Sequence, residues 1–289
     1  MVELSIVVPA FNEADGIGSV LTRLSAVMGA SGIAHEILVV DDGSTDGTAR
    51  AVQAVLGSLP HVRLLQHEVN RGYGAALKTG IRAAAAEVVA ITDADGTYPN
   101  ERLPELWKTL VARRADMVVG ARTGDNVHIP LVRRPAKAAL GLLANYLSGA
   151  RIPDLNSGLR VFRKAPVVER FNLISDGFSF TTTVTLALLA RSHPVVFVPV
   201  DYARRTGSSK IRPLRDTFNF LVLILRVSVF FEPLKVFLPA SGALAASGLL
   251  YGGLQAWAGD LGEGPVLLLV AALQILLVGL IADMISRKN

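Results

Sequence analysis

A chain of 289 residues that is 51% hydrophobic, with a mean hydropathy of +0.44, is too apolar for an ordinary soluble domain. Its 29 basic and 24 acidic residues leave a net charge of +5, a modest balance for its length. With no cysteine it excludes a disulfide framework and any thiolate-bound metal, and it fits a reducing compartment.

In chain order, Leu4–Val8 reads as a β-branched strand stopped by Pro9, followed by a helix to about Met28 with Asn12 as its N-cap and Glu13 and Asp15 in the first turn. The turn Pro9-Ala10-Phe11-Asn12-Glu13 lacks the G-x-G-x-x-G of a dinucleotide site, which argues against a dehydrogenase. Glu36–Val40 is a second buried strand, ending on Asp41-Asp42-Gly43-Ser44, and Glu87–Ile91 is another, ending on Thr92-Asp93-Ala94-Asp95-Gly96. Taken singly, each acidic stretch could be a capped turn. On successive strand ends of an open α/β sheet they line the crevice where ligands bind. The Asp-x-Asp spacing suits a hard divalent cation carrying phosphates, so Mg²⁺ or Mn²⁺ with a nucleotide diphosphate is the natural reading.

Asn70–Ala85 and Asn100–Arg113 read as helices, Ala115–Gly120 and Val195–Val200 as strands, and Phe180–Ala190 as a buried helix. This alternation predicts a Rossmann-like α/β domain over residues 1–215. Val236–Trp257 and Pro265–Ile285 are apolar runs of bilayer length, predicting a two-helix transmembrane hairpin within 234–289. Residues 216–233, with Arg226 interrupting Phe218–Phe231, read as an amphipathic helix on the membrane surface or one docked on the domain. Lys235, Arg287 and Lys288 flank the spans while the connecting turn carries Asp260 and Glu263. The charge bias therefore places the N-terminal domain and the C-terminus in the cytoplasm, with Met1 leading directly into the first strand.

Charge is also unevenly spread. Residues 1–112 hold 8 basic and 13 acidic side chains, residues 113–215 hold 17 and 6, and residues 216–289 hold 4 and 5. A basic middle beside membrane helices suits anionic headgroups and a lipid phosphate. No nucleic-acid module accompanies it.

The motifs Val8–Glu13, Val40–Thr48, Asn70–Gly74 and Asp93-Ala94-Asp95 resemble those of family 2 glycosyltransferases of the GT-A fold. Asp154-Leu155-Asn156-Ser157-Gly158-Leu159-Arg160 and Tyr202–Lys210 narrow the resemblance to the polyprenyl-phosphate hexosyltransferases, and it covers essentially the whole chain. It implies transfer of a hexose from GDP-mannose or UDP-glucose to a polyprenyl phosphate. By that resemblance, Pro9, Phe11, Glu13, Asp41, Asp42 and Asp93 hold the nucleotide. Asp93 and Asp95 meet the metal, with Thr97 in the place where many relatives have Gln and so a candidate third ligand. Arg122, Arg133 and Lys137, with Ser157 and Arg160, would hold the lipid phosphate, and Ser148 is a weaker candidate. Arg204 and Lys210 would close over the diphosphate or face the membrane, and Asp154 is a base, a sugar-orienting group or a structural turn. A thin two-helix membrane foot also suggests a homo-oligomer. Two enzyme rivals fit less well: a processive polysaccharide synthase should carry Gln-x-x-Arg-Trp, and a nucleotidyltransferase needs no hairpin. A family 2 enzyme with another membrane acceptor, or a non-catalytic membrane scaffold, is separated by converting Asp93 or Asp95 to Asn.

Overall fold

The computed structural model describes residues 1–123, 141–142, 145–146, 149–177, 179–202, 222, 225, 229–230, 232–259 and 262–286. Most of the 216–233 segment therefore lies outside the described residues, and its surface or docked placement stays with the sequence reading.

The strands are β1 (Leu4–Ala10), β2 (His35–Asp41), β3 (Val62–Gln66), β4 (Val88–Ile91), β5 (Met117–Ala121), β6 (Arg160–Arg163) and β7 (Val195–Pro199). They form one mixed sheet in the order β3-β2-β1-β4-β6-β5-β7. The chain steps outward from β1 to β2 and β3, then returns to lay β4 on the other side of β1. That reversal opens a crevice at the carboxyl ends of β1, β2 and β4, the place where open α/β sheets bind ligands. β6 runs antiparallel to both neighbours, with Arg160 opposite Ile91 of β4 and Val119 of β5. Being reversed, β6 brings its beginning to the crevice, so the segment 154–159 arrives beside the loop that follows β4.

Helices cover both faces. Leu4, Ile6 and Val8 of β1 point to one side and pack with Ile17, Leu21, Leu24 and Met28 of α1 (Ile17–Ser31), Val52 of α2 (Thr48–Leu56) and Leu103, Leu106 and Leu110 of α4 (Leu103–Ala112). Val7 points the other way, as the two-residue period of a strand requires. It belongs to a second buried cluster with Leu77 and Ile81 of α3 (Tyr73–Ala83), Val167 of α5 (Lys164–Val168) and Phe180, Val184 and Leu188 of α6 (Phe180–Leu189). Full burial of each large apolar side chain here contributes roughly 1.5–3 kcal/mol.

The structure corrects the local reading at two helix starts. α1 begins at Ile17 with Gly16 at its cap, because Asn12 takes a left-handed conformation (φ 57°) and turns the chain instead of capping it. α3 begins at Tyr73, because Gly72 (φ 102°) cannot belong to a right-handed helix.

The last two helices, α7 (Pro233–Ala258) and α8 (Gly264–Ser286), form an antiparallel hairpin slightly longer than the sequence indicated. Both are long and apolar enough to cross a membrane, and most of their residues are exposed in the isolated chain. Small residues form the seam between them: Gly248 lies against Leu268 and Pro265, and Gly279 against Phe237. At the start of the hairpin the Tyr146 hydroxyl donates to the Lys235 carbonyl at 3.3 Å.

Candidate active site

Two loops form the first wall. The Asn12 amide donates to Ser44 Oγ at 3.0 Å, and the Thr45 amide donates back to Asn12 Oδ1 at 2.9 Å. The Glu13 amide reaches Thr48 Oγ1 at 2.9 Å, and the Ala14 amide reaches Asp46 Oδ2 at 3.2 Å. Pro9, buried in β1, and half-buried Phe11 are thereby held against the end of β2.

Asp41 and Asp42 are both buried and both committed to the protein. Asp41 accepts the Ser44 amide at 3.1 Å and the Gln66 amide group at 3.4 Å. Asp42 accepts the amides of Arg71 (3.0 Å) and Gly72 (2.8 Å) and Nδ1 of His67 (2.7 Å). His67 is braced in turn by the Thr79 hydroxyl at 2.9 Å from Nε2. Asp42 thus fixes the turn that launches α3, which places it underneath the crevice. His67 was not foreseen; the one signal available was a polar side chain at the end of a short apolar run.

Asp93 accepts a hydrogen bond from the Tyr73 hydroxyl at 2.9 Å. Burial first, then the Asp93 charge, raises the Tyr73 phenol well above its ordinary value and keeps it a donor. Asp93 rests on Gly158, where a Cβ would stand 2.8 Å from both carboxylate oxygens. Only glycine leaves that cradle open. The Gly158 amide donates to the Tyr98 hydroxyl at 2.7 Å, and Tyr98, whose pKa is raised by burial, meets Tyr202 edge-to-face at 5.1 Å.

Arg122 lies over the Tyr202 ring, 5.2 Å from its centroid. Its guanidinium forks onto Asp154, Nε to Oδ2 at 2.7 Å and Nη2 to Oδ1 at 2.9 Å. Burial opposes the Arg122 charge, but the Asp154 hydrogen bonds outweigh it and push the pKa above the ordinary arginine range. An unbroken run of contacts therefore joins Asp93 through Gly158, Tyr98, Tyr202 and Arg122 to Asp154.

Asp95 accepts both the amide (3.1 Å) and the hydroxyl (2.6 Å) of buried Thr97. Thr97 thus orients Asp95 through its amide and its hydroxyl, whose oxygen lone pairs remain open to a cation. Among the described residues no group of three or more His, Cys, Asp or Glu side chains forms a metal cage. Two carboxylates at one strand end suit a hard divalent cation such as Mg²⁺ or Mn²⁺, which Asp93 and Asp95 would hold, and the open Gly158 cradle leaves Asp93 in place for it.

Two expectations need correction. Ser157 and Arg160 are fully buried and do not present an open phosphate site. The Ser157 hydroxyl donates to the Gly120 carbonyl. Arg160 donates to the carbonyls of Ser157 (2.7 Å) and Leu155 (2.8 Å) and to Thr185 Oγ1 (2.6 Å). Burial lowers its pKa to about 10, which leaves it charged at neutral pH. It is the internal strut of the 154–160 segment. Arg133, Lys137, Ser148, Arg204 and Lys210 lie outside the described residues.

Strand-end carboxylates on this sheet, next to the clipped β1 and β2 loops, agree with the profile of Glycosyl transferase family 2, which matches residues 5–171. The chain belongs to that family. The GtrB C-terminal hairpin profile matches residues 232–287, the stretch folded into α7 and α8.

Family 2 relatives include a dodecaprenyl-phosphate galacturonate synthase of Rhizobium johnstonii, 29% identical over 99% of this chain and 88% of its own. A dolichyl-phosphate hexose transferase of Haloferax volcanii is 30% identical over 73% of this chain and 87% of its own. An undecaprenyl-phosphate mannosyltransferase of Micrococcus luteus is 28% identical over 71% and 86%. Among solved structures, glucosyl-3-phosphoglycerate synthase of Mycobacterium tuberculosis, crystallised with Mn²⁺, UDP and glucosyl-3-phosphoglycerate, matches with a TM-score of 0.59. It is 19% identical over 78% of this chain and 80% of that one, a likeness of the GT-A fold.

Proposed function

We propose that this family 2 protein is a membrane-anchored, inverting glycosyltransferase that moves a hexose from a nucleotide diphosphate to a polyprenyl phosphate. The observation that carries the reading is one chain holding Asp93 and Asp95 at a GT-A strand end and, after that domain, an apolar hairpin long enough to cross a membrane. The relatives' names supply the acceptor class, since dodecaprenyl, dolichyl and undecaprenyl phosphates are all polyprenyl phosphates. The catalytic domain, residues 1–215, and the C-terminus belong on the cytoplasmic side, where Lys235, Arg287 and Lys288 flank the spans.

In this reading the loops after β1 and β2 receive the nucleoside, with Pro9, Phe11, Glu13 and Asp41 along the wall and Asp42 holding the wall's shape. Asp93 and Asp95 would hold a divalent cation, which would offset charge developing on the departing diphosphate. Asp93 is aimed by the Tyr73 hydroxyl and the Gly158 cradle, and Asp95 by Thr97. The acceptor phosphate, whose second pKa is about 6, is already largely ionised at neutral pH. One of its oxygens forms the new bond to the anomeric carbon as the bond to the nucleotide diphosphate breaks, and that electron pair leaves on the diphosphate. No proton need move to the protein. The pairing of Asp154 with Arg122 agrees with this: the carboxylate orients a cation at the crevice edge, where Arg122 with Arg133 and Lys137 would draw in the lipid phosphate. Arg204 and Lys210 are assigned to the diphosphate side.

Purified protein is incubated with Mn²⁺ or Mg²⁺, a short polyprenyl phosphate and, separately, GDP-mannose, UDP-glucose and a galacturonate donor. A lipid product heavier by one sugar with one donor supports the class and names the sugar. Metal-dependent nucleotide binding without any lipid product sinks the polyprenyl-phosphate acceptor.

A further inference from the structure

Arg122 and Tyr202 meet because two strands end side by side. β5 and β7 run parallel, with Gly120 opposite Val198 and Ala121 opposite Pro199. The Val200 amide continues the ladder to the Ala121 carbonyl at 2.8 Å. Arg122 follows β5 directly, and two residues past Val200 the chain reaches Tyr202, over whose ring the Arg122 guanidinium lies at 5.2 Å.

The guanidinium is thus held in two directions. Asp154 grips its edge through Nε and Nη2, and Tyr202 lies against its face. The Nη1 group and one N–H of Nη2 are left, and these make no hydrogen bond with any of the described residues. An anion that reaches Arg122 must therefore bind through this free side of the fork. Parallel N–H···O bonds to a phosphate require the plane of the fork to be fixed, and an aromatic ring under the cation both attracts and restrains it.

Tyr98 packs edge-to-face on the same ring at 5.1 Å but does not depend on it. It is 3% exposed, and its hydroxyl takes the Gly158 amide at 2.7 Å. Loss of the Tyr202 ring therefore frees the guanidinium to tilt about its bonds to Asp154, while the Gly158 cradle of Asp93 keeps its own support.

We infer that Tyr202 is a positioning residue for the acceptor phosphate, its ring fixing the plane of Arg122 so that the free edge of the guanidinium meets the incoming anion. The inference rests on the proposed polyprenyl-phosphate acceptor and deepens it by one residue, which acts through Arg122.

The full-length protein in detergent micelles is assayed with Mn²⁺, a short polyprenyl phosphate and the nucleotide sugar that the parent uses. Y202L and Y202M both remove the ring, and Y202F keeps it. The two ring-less variants are expected to raise the KM for polyprenyl phosphate about five- to tenfold, with the donor KM and metal-dependent nucleotide binding changed by less than about twofold. Y202F is expected to stay within about twofold of the parent, because the face under the cation is retained. In the R122M/D154L background, where the guanidinium is gone and no buried charge is left alone, Y202L should add less than about twofold. An unchanged lipid KM in both ring-less variants, a parallel rise in the donor KM, or an equal further rise in the R122M/D154L background overturns the inference alone. A parent that makes no lipid product with any donor sinks the acceptor reading and takes the inference with it.

Discussion

Arg122 and Asp154 grip each other through two parallel hydrogen bonds, and the Arg122 amide adds a third to Asp154 Oδ2 at 3.0 Å. The Asp154 side chain is 1% exposed and that of Arg122 22%, so the pair is largely withdrawn from water. Removing one member of such a pair leaves the other charge buried, at a cost of about 3 kcal/mol or more. Asp154→Asn is expected to lower thermal stability by about that amount. The double variant R122M/D154L should lose clearly less than the two single losses together. If Asp154 were also a general base, Asp154→Asn would in addition lose the alkaline plateau of kcat. Melting curves beside a pH–rate profile separate these outcomes.

A single methyl group tests the Asp93 cradle. In Gly158→Ala the new Cβ would stand 2.8 Å from both Asp93 oxygens, too close for the carboxylate to stay where Tyr73 holds it. The expected result is a weaker apparent affinity for metal and a fall in kcat/KM of ten- to a hundredfold. Misplacement of about 1 Å near a reaction centre typically costs up to a hundredfold. Stability should fall less, within the roughly 1–3 kcal/mol of a local overpacking. Unchanged metal titration in the folded variant would remove Asp93 from the metal site.

Asp95 and Thr97 make a different comparison. Asp95→Asn is expected to lower turnover by about 10² to 10³, the usual effect of losing one group that stabilises developing charge. Thr97→Val removes the hydroxyl that donates to Asp95 at 2.6 Å, and Thr97→Ser keeps it. Valine is expected to lower activity about tenfold and serine to restore most of it, with the order of preference between Mg²⁺ and Mn²⁺ unchanged. A changed metal preference in the valine variant would make Thr97 a ligand in its own right.

These residues also show where the sequence was readable. The strands that end in Asp41 and Ile91 and the two long helices follow from unbroken apolar runs, since a fully buried strand and a bilayer span each need one. β3 escapes that test because it is an edge strand of mixed character, with Arg63 and Gln66 exposed. β6 escapes because it opens on Arg160, a cation that reads as surface until three internal acceptors are seen around it. Its antiparallel direction is what brings Gly158 to Asp93, and pairing direction has no local signature. The Asp-x-Asp site was therefore legible from strand ends, whereas Tyr73, Tyr98, Tyr202 and His67 became visible only once the elements were packed.

At the amino end of β2, away from the crevice, Glu36 gives a prediction in pH. Its Oε1 accepts the Ser5 hydroxyl at 2.7 Å and the Ala85 amide at 2.6 Å, and its Oε2 pairs with Arg63 at 3.2 Å. Burial pushes the carboxyl up, but the hydrogen bonds from Ser5 and Ala85 and the Arg63 charge together hold it below the ordinary 4.5. A carboxyl whose folded pKa is depressed adds stability that is full above its unfolded value. That stability is lost as pH falls from there through the folded value. Hydrogen bonds to a charged group contribute about 1.5–3 kcal/mol each, and the loss of charge alone forfeits part of that. Glu36→Gln is expected to be roughly 1–2 kcal/mol less stable than the parent at pH 7. The two proteins should converge as pH falls below about 4.5 through the depressed folded value, because the parent then takes up a proton and carries a neutral side chain at the same place. Denaturant unfolding of both at pH 7, 5, 4 and 3 reads the gap directly, and a gap that stays constant with pH would mean that the Glu36 contacts act through shape and not through charge.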